Sequence, residues 1–381
     1  MALTLPTLPI EIVELIAHAL EPNQLFSLRL VCKELHQKTL SSFGTCFTTV
    51  RTDLSRKSLQ KVQELSEHAQ LQQHIRTILI INEQDQTLRP DFQWYRDSSR
   101  HTEAPLIHLE KLQDILVHKL PNCRSFHFRS RGEFDDRFHD LTPSDAIGTI
   151  LGIVAVTSLP VKSFVVDFGM WQVDATRFQM WQYHQPSFRS GWSYVQELSL
   201  SLSLTSGTFD WALGLIVHAT SLRKLSLVFK FDHSASFIER LCSSNVVHGL
   251  ESLRLVSAVV TSEKLSELVV RYRDSLRVLS FQHILIESGS EWPTVLAQFR
   301  DQLPFLKELS VQWLAQYGLE GGSHVIFPDL SIDPIVPGSG GRRFTLLMKW
   351  WMGETRIFGA DYQGPGVDKA WDMLIKALKC I

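Results

Sequence analysis

The hexapeptide Leu222-Arg223-Lys224-Leu225-Ser226-Leu227 sets one apolar residue, then two polar ones, then two apolar residues separated by a small polar one. Its second half alternates with period two, which puts Leu225 and Leu227 on one face of an extended strand and Ser226 on the other. The pattern recurs upstream, with apolar positions at Ile75, Ile78 and Ile80, at Cys123, Phe126 and Phe128, at Val161, Phe164 and Val166, and at Val195, Leu198 and Leu200. Downstream it returns at Leu250, Leu253 and Leu255, at Leu276, Leu279 and Phe281, and at Leu306, Leu309 and Val311. From Leu198 through Leu225, Leu253 and Leu279 to Leu309 the intervals are 27, 28, 26 and 30 residues; the earlier ones are longer and irregular. A period of that size marks stacked units, each covering the apolar face of the next.

Between these strands the spacing becomes helical. Residues 263–272 set Leu265, Leu268, Val269 and Tyr272 on one face, and residues 293–303 do the same with Leu296, Phe299 and Leu303. Thr142-Pro143-Ser144-Asp145 reads as a capped helix start before Ile147, Ile150 and Leu151. Strand then helix, repeated, predicts a curved stack with a parallel sheet on its inner side. These units resemble leucine-rich repeats of the kind that follow F-boxes in many eukaryotic, notably fungal, proteins. The position that carries Asn or Cys in that family holds Arg131, Gly169, Lys230, Ala258, Ile284 and Leu314, so an Asn ladder is not expected. Regular β-α repetition of another topology is the structural alternative.

The first 47 residues follow a different rule. Pro9 suits a first helical position, with Ile12, Leu15, Ile16 and Ala19 or Leu20 following at helical intervals. Pro22 restarts the chain, Leu25, Leu28 and Val31 or Cys32 make a second apolar face, and Leu35, Thr39, Leu40 and Phe43 a third before Gly44. Three helices this short bury little surface among themselves, so the surplus apolar positions call for a partner. Leu8-Pro9, Glu11-Ile12, Ile16, Leu20, Pro22, Leu25, Leu28 and Val31-Cys32-Lys33 resemble an F-box, with Leu35 where that family often carries Trp. The resemblance implies docking onto a Skp-type adaptor, and through it onto the cullin and RING subunits of a ubiquitin ligase. Carried over by position, Leu8, Pro9, Ile12, Ile16, Leu28, Val31 and Cys32 are the expected adaptor contacts. The competing reading is a plain helical cap on the repeat array.

Other segments fill out the α/β organisation. Residues 47–54 suit an opening strand, and from Ser55 a helix carries Leu59, Val62, Leu65 and Ala69 on one side. Residues 338–341 read as a flexible break, residues 344–351 and 355–362 as a hairpin around Gly353, and residues 368–378 as a last helix bearing Trp371, Leu374, Ile375 and Leu378. The expected division is thus a three-helix F-box over 1–47, an irregular leucine-rich-repeat-like β-α solenoid over 48–337, and a hairpin-helix cap over 338–381.

At 381 residues, with 44% apolar and 20% charged residues and a formal net charge of -2, the chain has an ordinary globular composition and no basic footprint for nucleic acid. Five scattered cysteines without paired metal spacing fit a reducing compartment, and the apolar run 146–161 is too short to span a membrane, so cytoplasm or nucleus is expected. Phosphate-binding glycine loops, the Gly-x-Ser-x-Gly elbow and the His-Glu-x2-His helix are all absent from the sequence. His68, His74, His101 and His108 lack ligands at metal spacing, and Glu133, Asp135, Asp136 and Asp140 with Arg137 and His139 read first as a self-paired loop and second as a paired-carboxylate site. No cofactor is implied. The expectation is a non-catalytic substrate-recruiting subunit, with an adaptor-bound scaffold or an α/β-fold enzyme as alternatives. For the target protein, the strand positions Leu79, His127, Val165, Ser199, Ser226, Arg254, Ser280 and Ser310 form one row, followed by Arg129, Asp167, Ser201, Val228, Val256, Gln282 and Gln312. The aromatic-rich stretch 169–194, with Trp171, Trp181 and Trp192, either anchors a partner or folds back onto the array.

Overall fold

The computed structural model describes residues 4–82, 95–96, 102–103, 106–130, 143–168, 183–204, 206–229, 234–244, 249–318, 321–330, 335–351 and 354–381. They contain thirteen α-helices and an eleven-stranded mixed sheet, so the chain is mixed α/β. The stretches 83–94, 131–142 and 169–182 lie outside the described residues, and with them the acidic loop, Trp171 and Trp181.

Four helices open the chain: α1 (Ile10–Ala19), α2 (Pro22–Val31), α3 (Lys33–Lys38) and α4 (Leu40–Gly44). The third predicted helix is broken at Thr39, whose Oγ1 donates to the Leu35 carbonyl at 2.6 Å. The inward stripe of α1 is Val13 and Ala17, so the expected face of Ile12 and Leu15 points outward instead. In α2 the buried positions are Leu25 and, one turn on, Arg29 rather than Val31. Burying a cation requires partners in every direction. Arg29 Nη1 donates to the His36 carbonyl at 3.0 Å and to Thr39 Oγ1 at 3.3 Å, and the guanidinium lies 3.8 Å from the Phe43 ring centroid. Lys38 Nζ ties down the start of the chain, donating to the carbonyls of Pro6 (2.7 Å) and Leu8 (2.9 Å) and to Glu34 (2.8 Å).

After a 3-10 turn at Thr45–Phe47, β1 (Thr49–Thr52), α5 (Arg56–Glu67) and β2 (Thr77–Asn82) begin the repetition. A short separate pair, β3 (Tyr95–Arg96) and β4 (Thr102–Glu103), precedes α6 (Leu106–Asp114). Strand and helix then alternate as β5 (Ser125–Ser130), α7 (Pro143–Thr157), β6 (Ser163–Asp167), α8 (Pro186–Trp192), β7 (Glu197–Leu204), α9 (Ser206–His218), β8 (Lys224–Phe229) and α10 (Ser234–Ser243). Each later unit gains a second, two- to four-residue strand: β9 (Ser252–Val256) with β10 (Val259–Val260), α11 (Ser262–Val270), β11 (Val278–Gln282) with β12 (Leu285–Ile286), α12 (Trp292–Gln302), and β13 (Glu308–Gln312) with β14 (Ala315–Gly318).

Strands β1, β2, β5, β6, β7, β8, β9, β11 and β13 pair in that order, all parallel. The register sets Ile78, Phe126, Phe164, Leu198, Leu225, Leu253, Leu279 and Leu309 opposite one another, so the middle apolar residues of all the repeat units form one buried column. Ile80, Phe128, Val166, Leu200, Leu227, Leu255, Phe281 and Val311 form a second buried column beside it.

The turn leaving β9, β11 and β13 is the same each time. Ser257, His283 and Trp313 take left-handed φ values of 55, 53 and 51°, and the next residues, Ala258, Ile284 and Leu314, are fully buried. Main-chain bonds connect the successive turns, from Ser257 N to Gln282 O (2.8 Å), His283 N to Gln312 O (2.9 Å) and Trp313 N to Phe358 O (2.9 Å). Apolar packing therefore fills the place where a side-chain amide ladder would run.

Beyond β14 lie β15 (Gly321–Ile326), β16 (Thr345–Trp351), β17 (Glu354–Gln363), α13 (Val367–Ala377) and β18 (Lys379–Cys380). The β16–β17 hairpin is antiparallel and extends the main sheet at β13, while β15 and β18 extend the small sheet β10-β12-β14. The expected boundary near 338 therefore cuts across two continuous sheets. Residues 338–341 form a bonded turn, with Ser339 Oγ donating to the Val336 carbonyl (2.6 Å) and accepting from the Arg342 amide (2.9 Å).

Placing an amide at the buried turn position should be costly, because a polar group would replace an apolar side chain in a fully buried site. We expect Ile284→Asn to lower unfolding free energy by about 3 kcal/mol and Ile284→Val by about 1 kcal/mol, read from urea denaturation midpoints.

Candidate functional site

Two surfaces stand out, one at each level of the architecture. The first comprises apolar side chains that the four N-terminal helices do not cover. On α1, Ile10, Ile12 and Leu15 are exposed; on α2, Phe26, Leu30 and Val31 are, with Leu30 at 87% and Val31 at 68%. Of the seven expected adaptor contacts, Pro9, Ile12 and Val31 are exposed, whereas Leu8, Ile16, Leu28 and Cys32 are half-buried. Leu15, which the sequence pattern sets on the inward stripe, and Leu30 are exposed apolar residues outside that set. Scattered exposed leucines are normal on protein surfaces, but several large apolar residues on two short consecutive helices are not.

The second surface is the sheet face turned away from the helices. Main-chain register sets Arg51, Leu79, His127, Val165, Ser199, Ser226, Arg254, Ser280, Ser310, Asp361 and Thr345 in a single row. Parallel to it run Arg129, Asp167, Ser201, Val228, Val256, Gln282 and Gln312. Both rows coincide with those read from the alternation. Among the row residues Arg254 is exposed and the five serines are half-buried. Arg254 Nη2 donates to Gln282 Oε1 at 3.2 Å, Gln312 Nε2 donates to both Asp361 carboxylate oxygens at 3.0 Å, and Arg129 pairs with Asp167 at 3.7 Å. The face is thus mixed, its charged and amide side chains paired beside Leu79, Val165, Val228 and Val256.

Trp192 leaves the set of candidate partner anchors. It is fully buried in the core, its Nε1 donates to the Leu215 carbonyl at 2.7 Å, and its ring stacks on Phe188 at 5.2 Å. The aromatic stretch folds back at its described end, since α8 starts at Pro186 and lays Phe188 and Trp192 against Phe164 and the α7 side.

One hydroxyl, one imidazole and one carboxylate meet on the sheet, where Ser163 Oγ donates to Glu197 Oε2 at 2.9 Å and contacts His127 Nε2 at 3.4 Å. In a nucleophilic triad the imidazole stands between hydroxyl and acid, so that it can take the proton. Here the hydroxyl stands between them and its proton is already committed to Glu197. Burial pushes the Cys123 thiol up to about 12 and the Cys242 thiol up to about 11, which keeps these two protonated. Among the described residues no group of three His, Cys, Asp or Glu side chains is placed to hold a metal ion, and no helix is long and apolar enough to cross a membrane.

At the C-terminal end of the face the rings of His283, Trp313 and Phe358 stack at 5.7 and 4.5 Å, Lys349 Nζ sits 4.9 Å from the Trp313 centroid, and His324 contacts Trp351 edge-on at 5.7 Å. Burial, followed by the His324 and Lys349 charges, pulls His283 below its ordinary value of 6.5. His127 and His218 are likewise lowered, chiefly by burial.

No family model matches the chain, and no curated protein matches it either.

A histidine with a depressed folded value binds fewer protons folded than unfolded, so stability is complete above about pH 6.5 and falls as pH drops through that value. Three such histidines act in the same direction. We expect the urea midpoint to be lower at pH 5.5 than at pH 7.5, and His283→Gln to reduce that difference.

Proposed function

We propose that this protein is the substrate-recruiting F-box subunit of a cullin-RING ubiquitin ligase, joined to a Skp-type adaptor by its N-terminal helices and to a target protein by a leucine-rich-repeat-like solenoid. The observation that carries the reading is the surplus of exposed apolar side chains on α1 and α2, above all Leu30 and Val31, on helices whose own interior is already filled by Val13, Ala17, Leu25 and Leu35. Such side chains suit burial beneath partner helices. The match of Leu8-Pro9, Glu11-Ile12, Ile16, Leu28 and Val31-Cys32-Lys33 to the F-box pattern points to the adaptor as that partner.

Supporting the second half is the repetition itself. Parallel strands in sequence order, with helices returning on one side and a repeated left-handed turn after β9, β11 and β13, suit a solenoid whose open face meets a protein segment. In this role the chain performs no covalent step; it contributes proximity and orientation to catalysis by a ubiquitin-conjugating enzyme. The same features serve an adaptor-bound scaffold that delivers no target.

Capture on immobilised Skp adaptor tests the proposal. The wild-type chain should be retained, and Ile12→Asp with Val31→Asp should lose retention by tenfold or more. Leu30→Glu, whose position the F-box pattern does not single out, should weaken it as well. All three residues are exposed, so an unchanged urea midpoint is expected and separates lost docking from lost folding. No retention of wild type, or equal retention of the double variant, overturns the proposal. Cullin recovery together with a cellular protein whose half-life lengthens on deletion of the gene assigns the ligase role over the scaffold.

A further inference from the structure

Strand β16 (Thr345–Trp351) ends the eleven-stranded sheet, so one of its edges has no strand beside it. The single bridge from Ile335 to Arg343 stops before the strand begins, and among the described residues nothing else pairs with that edge. The bonds of β17 fix which main-chain groups of β16 point outward. Gly364 N donates to the Lys307 carbonyl at 3.1 Å and the Ile357 carbonyl accepts from Phe327 N at 2.9 Å, so Gly364, Tyr362, Ala360 and Ile357 turn away from β16. Their neighbours Asp361, Gly359, Arg356 and Glu354 turn toward it, opposite Thr345, Leu347, Lys349 and Trp351. By alternation, the amides and carbonyls of Leu346, Met348 and Trp350 face outward. The extra residue of the bulge, Phe358, belongs to β17, so β16 itself stays regular.

The side chains at these outward positions are apolar and open. Met348 is 47% exposed and Trp350 69%, while Leu346 is half-buried. Met and Trp are enriched where proteins meet, and free edges are normally guarded by charge. Within β16 the single charge is Lys349, and its ammonium is drawn back over its own Trp313, 4.9 Å from the ring centroid.

The strand is complementary to itself. A second copy placed antiparallel, with a two-fold axis through Met348, sets Leu346 opposite Trp350 of its partner and Met348 opposite Met348. Every outward amide and carbonyl then finds a main-chain partner. Lys349 falls opposite Leu347, and the two lysines stand on a diagonal about 7 Å apart rather than face to face. Such a contact buries about 400 Å² per chain, at the low end for specific interfaces, so association is reversible.

We propose that β16 is a homodimer interface at which two copies of this chain join their sheets edge to edge. The N-terminal helices enter the sheet at β1, its opposite edge, so their exposed apolar residues stay free in the dimer and the inference is independent of the adaptor reading.

Sedimentation velocity of the full chain tests it. A monomer-dimer equilibrium with a Kd of about 30 µM is expected. Trp350→Glu and Met348→Glu should each weaken it by about tenfold or more, with an unchanged urea midpoint because both residues are exposed, whereas Leu30→Glu should leave it unaltered. A crosslink checks the register. With the exposed thiols removed by Cys46→Ser and Cys380→Ser, Met348→Cys should give a disulfide-linked dimer on oxidation, because the paired Cα atoms lie about 5.5 Å apart. Thr345→Cys, about 20 Å from its mate, should not. A chain still monomeric at about 300 µM leaves the edge to another occupant and overturns the proposal. So do dimers insensitive to Trp350→Glu and Met348→Glu, dimers lost with Leu30→Glu, or Thr345→Cys crosslinking as readily as Met348→Cys.

Discussion

Main-chain pairing between successive parallel strands decides where every other side chain of the body can go. Because side chains alternate with period two, a slip of one residue would carry Phe126, Phe164 or Leu198 from the helix side to the open side. The price of such a slip is several fully buried aromatic and aliphatic side chains at once, and that cost holds the register from β1 to β13. Strand spacing of about 4.8 Å then spreads the nine parallel strands over roughly 38 Å. Helices, turns and the open polar face are all arranged by this one ladder.

The ladder tolerates unequal connections because only the strand ends must meet. Intervals between middle residues differ greatly upstream of Leu198, yet Ile78, Phe126 and Phe164 stand in the same column as Leu225 and Leu309. Loop length costs little free energy once the ends are fixed, growing only with its logarithm. The long connections after Asn82, Ser130 and Phe168 consequently leave from the same ends of adjacent strands β2, β5 and β6. Downstream, where intervals tighten, the left-handed residues Ser257, His283 and Trp313 let each chain turn directly into a second strand. A bulky residue in that conformation is uncommon, and stacking of Trp313 between His283 and Phe358 offsets its strain.

Features that depend on local alternation were legible in the sequence. The rows through Ser199, Ser226, Arg254 and Ser280 follow from period two alone, and the last helix from the helical spacing of Trp371, Leu374 and Leu378. Features that depend on which of two helical faces a neighbour covers were not. In α1, Ile12, Leu15 and Ile16 carry more apolar surface than Val13 and Ala17, yet the narrower stripe faces α3 and α4. Arg29 is buried because His36, Thr39 and Phe43 converge on it from later in the chain, a coincidence no single-helix pattern contains. Nothing near Trp192 in the chain decides between partner anchor and core residue, because its acceptor, the Leu215 carbonyl, lies 23 residues away.

How the helical end is joined to the sheet matters for any partner it holds. The Thr48 carbonyl accepts from Arg76 and Thr77 at 2.9 and 3.0 Å, so the link from the last 3-10 turn is already part of the ladder when β1 begins. Gly44 faces His74 so closely that a Cβ would strike the imidazole, which seats α4 directly on the turn before β2. Phe43 meets Phe47 edge-on at 4.8 Å across the same junction. These contacts leave no free hinge between α4 and β1. Under the proposed function, a partner docked on Leu30 and Val31 would therefore be held at a fixed orientation to the open sheet face. That is the geometric condition under which recruitment alone accelerates a reaction, since a fixed orientation spares the encounter the entropy that a flexible tether would have to lose.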